Sequence, residues 1–93
     1  MLVFFDSDTQ NDFMLPAGKM YVHGAEHIYK NLHSLTAFAR RRKIKIISCM
    51  DRHFGTPKYR DLEFSELEVW GGPFPMHCMD STPGQKKIKE AAS

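Results

Sequence analysis

The sequence is short of several things. Its unbroken apolar runs are only a few residues long, far below the roughly 20 that a bilayer-crossing helix needs, so no transmembrane span and no membrane partner is expected. The opening "MLVFFDSD" has no basic segment followed by a long apolar one and does not read as a secretory leader. Cysteine is scarce: Cys49 and Cys78 are the two present, a poor disulfide framework, and a reduced, cytoplasmic setting is the expectation. Charge of one sign is lacking as well. Thirteen Lys and Arg against 11 Asp and Glu leave a formal +2, too mild to point to nucleic acid or an anionic membrane. One basic run, Arg40-Arg41-Arg42-Lys43, falls where a helix is expected to end, and positive charge there complements the helix dipole. A solvated helix end accounts for it; a nucleic-acid patch is the alternative.

What remains is a chain of 93 residues, 42% hydrophobic, enough for one folded domain. Leu2-Val3-Phe4-Phe5 is an unbroken apolar run of the kind found in strands buried on both faces of a parallel sheet. A long loop over 6–24 follows, broken at Pro16, Gly18 and Gly24. Ala25, Ile28, Tyr29, Leu32, Leu35, Phe38 and Ala39 then recur at helical spacing, which predicts an amphipathic helix over 25–41. Ile44, Ile46 and Ile47 lead into a second buried strand ending at Ser48-Cys49-Met50. Strand, helix, strand is a βαβ unit, parallel and right-handed by rule. Residues 54–85 look irregular, and "KKIKEAAS" closes the chain with a polar, helix-compatible tail. The class is α/β. Two strands and one good helix do not cover a sheet that is apolar on both faces, so the inventory points to an incomplete domain, or one completed by another chain.

Ligands of parallel α/β sheets sit beyond the carboxyl ends of the strands. There this chain places Asp6-Ser7-Asp8-Thr9-Gln10-Asn11-Asp12 after strand one and Asp51-Arg52-His53 after strand two. On extended backbone Asp51 and His53 point to one side. A carboxylate and an imidazole suit a divalent cation such as Zn²⁺, Fe²⁺ or Mn²⁺; a turn-capping Asp beside a surface His is the plainer reading. His77, in "PFPMHCMDSTPG", reads by itself as a packed or surface histidine, but together with Asp51 and His53 it would complete a two-His, one-carboxylate set. His23, His27 and His33 have nothing near them in sequence to complete a site and read as structural or solvated. Asp8 is the acid best placed to act as a base, Asp12 reads as a loop-holding Asx residue, and Asp6 has no assigned role. Phe13 and Phe74 are candidates for flat apolar walls, with ordinary core as the alternative.

Taken together these segments resemble one family. Asp8-Thr9-Gln10-Asn11-Asp12-Phe13 is similar to the D-x-Q-N-D-F opening of the nicotinamidase and isochorismatase-like cysteine hydrolases. Asp51-Arg52-His53 resembles the D-x-H metal motif of that family, and "FPMHCMDSTPGQKKI" its W/F-P-P-H-C-x-x-G-T-x-G-Q segment. Order and spacing agree across residues 2–89, and the metal motifs favour the nicotinamidase branch.

The resemblance implies a three-layer, Rossmann-like parallel sheet, of which residues 1–93 are the N-terminal portion. It implies that Asp8 is the catalytic acid/base for a cysteine thiol. Asp51, His53 and His77 would bind a divalent metal (Zn, Fe or Mn), with Glu63 of Asp61-Leu62-Glu63-Phe64 as a further ligand. Phe13 and Phe74 would sandwich the ring of a small amide such as nicotinamide. The reaction would run through an acyl-enzyme to nicotinate and ammonia.

Departures bound this. The Lys and nucleophilic Cys of the family triad lie downstream of anything in this chain, and Cys78 aligns with a non-catalytic Cys. Met76 stands for a Pro, Asp80-Ser81 for a residue-Gly pair, and extra residues lie between Glu63 and His77. The partner expected is therefore a missing C-terminal half or a second copy; the alternative is an inactive fragment or a metal- or partner-binding module.

Overall fold

The computed structural model describes residues 1–61, 63 and 66–92. Strand β1 (Val3–Ser7) pairs in parallel with β2 (Lys45–Cys49), in register from Val3 opposite Lys45 to Ser7 opposite Cys49. The first strand therefore runs past the expected apolar tetrad: Asp6 and Ser7 stay in the ladder, because pairing is a backbone property that polar side chains do not interrupt. Between the strands lie a one-turn helix α1 (Asn11–Met14), a 3₁₀ turn (Ala25–Ile28) and the long helix α2 (Tyr29–Arg41). The predicted helix over 25–41 is thus present, with its first turn wound more tightly. Residues 54–85 hold short 3₁₀ turns at Pro57–Tyr59, Glu68–Trp70 and Pro83–Gln85, and α3 (Lys89–Ala92) follows.

One face of the sheet is covered. Phe4 packs against a core of Met14, Ala25, Leu32, Ile88 and Ala91, with Tyr29 and Phe13 at its margin. Below this core Asp6, 3% exposed, is neutralised by Lys87, whose Nζ lies 2.5 Å from Oδ2, while Thr9 Oγ1 donates to Oδ1 at 2.8 Å. A buried carboxylate is tolerable only when paired and hydrogen-bonded in this way. It fastens the segment before α3 to the exit of β1.

The other face differs from expectation. The alternation along both strands leaves Val3 40%, Phe5 61% and Ile47 40% exposed, so among the described residues the strands are buried on one side only. Helix α2 tells the same story. Leu32, Thr36 and Ala39 turn inward, but Leu35 and Phe38 of the predicted apolar stripe are exposed. The pattern written for a buried element meets, among the described residues, no second layer. No helix among the described residues is long and apolar enough to cross a membrane.

Candidate metal centre

Past the end of β2 the chain stays extended and lies beside residues 77–80. His53 N–H donates to Cys78 O at 3.0 Å, Asp80 N–H donates to His53 O at 2.7 Å, and His53 and Met79 form a parallel bridge. This pairing brings a D-x-H strand exit against the histidine of an otherwise irregular loop. His53 Nε2 lies 3.1 Å, and His77 Nε2 3.0 Å, from the same oxygen, Oδ2 of Asp51. The two imidazoles are buried, 6% and 4% exposed, and their rings meet edge to face at 4.8 Å.

The tautomer of His77 follows from its surroundings. Its Nδ1 lies 2.7 Å from Pro75 O, and a carbonyl only accepts, so Nδ1 carries a proton, and in the neutral ring the Nε2 lone pair is then the one left for a cation. One carboxylate oxygen and two imidazole nitrogens thus fall within 4.8 Å of one another. Ligands about 2.1 Å from a tetrahedral cation sit about 3.4 Å apart, close to the 3.0 and 3.1 Å found here. The donor set fits Zn²⁺, and equally the facial two-His, one-carboxylate arrangement used by Fe²⁺.

The loop at residues 8–13 holds this set together. Gln10 is fully buried: Nε2 donates to Asp51 O at 2.8 Å and to Gln85 O at 2.6 Å, and Oε1 accepts from Asp51 N–H at 2.8 Å. Asn11 Nδ2 donates to Pro83 O at 2.8 Å. The Asp12 carboxylate accepts from Lys19 N–H at 3.1 Å and from Cys78 N–H at 2.7 Å, next to His77. Gly84 makes room for it, since a Cβ there would fall 2.2 Å from Asp12 Oδ2. Asp12 is therefore the loop-holding residue expected, and it reaches the segment that carries the histidine. The importance of Gln10 was missed, because an uncharged amide gives no sign of partners 41 and 75 residues away.

Asp8 sits at the turn out of β1 in a left-handed conformation, φ 59°, which Asp tolerates better than most residues. Its N–H donates to Cys49 O at 2.9 Å, which ties the exits of both strands. With Phe13, Met14 and Val22 it lines an open cavity of 360 Å³, and His23, read above as solvated or structural, lines the same space. Phe13 and Phe74 stand edge to face against His77, at 5.7 and 6.2 Å; His27 and His33 are exposed. Cys78 is buried, and burial together with the charges of Asp51, Asp12 and Asp8 pushes its thiol up to about 12, so it stays protonated near neutrality. Cys49 is exposed, with Sγ 3.2 Å from Ser7 Oγ.

The structure places Glu63 apart from the three converging donors. It lies on the far side of His53, with Oε1 3.9 Å from Nδ1. Its carboxylate accepts from the N–H groups of Phe54 and Gly55 and from Trp70 Nε1 at 2.7 Å. Burial raises its pKa, but these hydrogen bonds and the nearby His53 outweigh burial and hold it below the ordinary glutamate range.

Neither a known family model nor a curated protein matches this sequence. Solved structures do match. The pyrazinamidase of Pyrococcus horikoshii, in complex with zinc, superposes with a TM-score of 0.72 at 24% identity, over 92% of this chain and 44% of its own. The nicotinamidase/pyrazinamidase of Bacillus subtilis gives 0.77 at 19% identity, over 98% and 46%. The yeast nicotinamidase bound to the inhibitor nicotinaldehyde gives 0.71 at 18%, over 99% and 50%. The fold is thus the isochorismatase-like α/β fold of those nicotinamidase structures, over part of its extent. Within that class the chain resembles the N-terminal half of the nicotinamidase and pyrazinamidase structures, and it spans about half or less of the length of each.

Proposed function

We propose that this chain is the metal-binding part of a nicotinamidase-like amidohydrolase, acting on a small amide such as nicotinamide to give nicotinate and ammonia. The observation that carries the reading is the convergence of Asp51, His53 and His77 on one point, at the strand rim that also carries Asp8. Asp51 Oδ2, His53 Nε2 and His77 Nε2 would hold a divalent cation, Zn²⁺, Fe²⁺ or Mn²⁺. Bound there, it supplies a Lewis acid that can anchor a ring nitrogen or polarise water. Phe13 and Phe74, against His77, orient an aromatic ring beside it.

The Asp8 carboxylate takes the proton of a cysteine thiol. The thiolate adds to the amide carbon, the C–N bond breaks, and Asp8 returns the proton to the departing ammonia. Water then cleaves the thioester to the acid and restores the thiol. Cys78 does not serve, being buried and protonated. The thiol comes from a C-terminal half packed on the bare sheet face of Val3, Phe5 and Ile47, in a reducing cytoplasm.

A second reading, a metal- or partner-binding module without amidase activity, is favoured by that same bare face and by the unreactive Cys78. Intact mass and metal content of the native complex, with ammonia release from nicotinamide, separate the two. The enzyme reading expects a second polypeptide that carries the nucleophilic Cys, one divalent metal per chain, and activity lost in Asp8→Asn. Native material with metal but no ammonia release supports the module.

A further inference from the structure

Glu63 is an acidic residue beside the centre whose surroundings do not suit a ligand. Both of its oxygens are engaged by N–H donors: Phe54 and Gly55 amides on Oε1, and Trp70 Nε1 on Oε2 at 2.7 Å. The side chain is 5% exposed. To reach the cation it would have to abandon these buried donors, each left unpaired at a cost of about 1–3 kcal/mol. The cradle also looks built to hold a carboxylate in place. Gly55 takes a left-handed φ of 68°, and a Cβ there would fall 2.8 Å from the Met76 and Met79 methyl carbons. The turn directly after His53 therefore admits a close backbone and presents two successive N–H groups to one oxygen, as anion-binding turns do.

The opposite side of His53 supplies the reason. Among the described residues His53 Nδ1 is buried with no hydrogen-bond partner, and Glu63 Oε1 stands 3.9 Å from it. His77 has its Nδ1 proton fixed by Pro75 O; the anion nearest the corresponding atom of His53 is Glu63. A metal-bound imidazole normally gives its other N–H to a carboxylate or carbonyl, which sets the tautomer and strengthens the donor nitrogen.

We propose that Glu63 is a positioning residue and not a ligand: held by Phe54, Gly55 and Trp70, it keeps the His53 proton on Nδ1, so that Nε2 faces the cation beside Asp51 Oδ2. At 3.9 Å it acts as a fixed charge, and a small rotation of the imidazole turns the contact into a hydrogen bond. The inference rests on the metal reading above, and deepens it by dividing the acidic residues into Asp51, which binds, and Glu63, which orients.

The test uses the purified chain with Zn²⁺ and Co²⁺. In ¹⁵N-histidine-labelled wild type loaded with Zn²⁺, His53 is expected to show a protonated Nδ1 and a metal-bound Nε2; ligation through Nδ1 overturns the proposal without any variant. Glu63→Gln is expected to lower Zn²⁺ affinity by about 10–100-fold, with the Co²⁺ absorption bands unmoved because no ligand is lost. A shift of those bands to the pattern of Asp51→Asn means that Glu63 is a ligand and overturns the proposal. So does a Glu63→Gln affinity within twofold of wild type while Asp51→Asn abolishes binding. If wild type itself takes up no Zn²⁺, the metal reading falls, and this inference with it.

Discussion

Gln10 has no charge and reacts with nothing, yet it joins three segments at once through Asp51 N–H, Asp51 O and Gln85 O. Removing it takes a partner from each of those half-buried groups. Each buried group left unpaired costs about 1–3 kcal/mol, so Gln10→Ala is expected to lose about 3 kcal/mol in urea unfolding. Gln10→Glu is expected to do no better, because a carboxylate cannot donate to two carbonyls. A loss below about 0.5 kcal/mol, the scale of an ordinary surface change, would show that the amide is not holding the loop. At this scale the sequence was legible where side-chain chemistry is self-evident. Asp51, His53 and His77 have the residue types of a donor set, which the resemblance rather than the residues alone singles out, and Asp12 reads as a turn residue. It was silent where function lies in the partner: Gln10 enters only as part of a motif, and Glu63 reads, by resemblance, as a further metal ligand until its Trp70 and Gly55 donors are seen.

Among the elements, the apolar runs and the helical period are read directly from residue order, and the βαβ core follows from them. What residue order did not reveal is which apolar face meets a neighbour. Phe5 and Ile47 have the composition of buried strand residues but stand 61% and 40% exposed; Leu35 and Phe38 do the same on α2. An apolar face beside unpaired strand edges invites association. Sedimentation velocity on the chain is expected to show concentration-dependent self-association, and Phe5→Lys with Ile47→Lys to shift it toward monomer while far-ultraviolet circular dichroism is unchanged. A wild type that stays monomeric at high concentration would mean that the exposed face is tolerated as it stands. The stretch 54–85 was legible only as irregular. Its order comes from isolated bridges, such as His53 with Met79 and Leu67 with Phe74, and single bridges leave no periodic trace.

For the molecule as a whole, the donor set is drawn from segments that only the folded state brings together, so a cation that binds it stabilises the fold by mass action. At a free Zn²⁺ concentration of about 100 times Kd the gain is about 2.7 kcal/mol. For a chain of this size that corresponds to roughly 10–20 °C in Tm, reversed by a chelator. A Tm that Zn²⁺ leaves unchanged in wild type, or raises equally in His77→Ala, would place the binding elsewhere. The pairing of Gln10 with Lys87, of Asn11 N–H with Lys86 O and of Ile88 N–H with Thr9 O also fixes an order of events. These contacts span most of the chain, and closing so long a loop costs entropy before the pairing rewards it, which makes them slow to form. Asp51 and His53 can be synthesised and even paired in the sheet well before the segment that carries His77 is locked down. Metal capture therefore waits on the docking of residues 77–80 against the exit of β2, and a chain cut before His77 would keep Asp51 and His53 side by side yet lack the third donor.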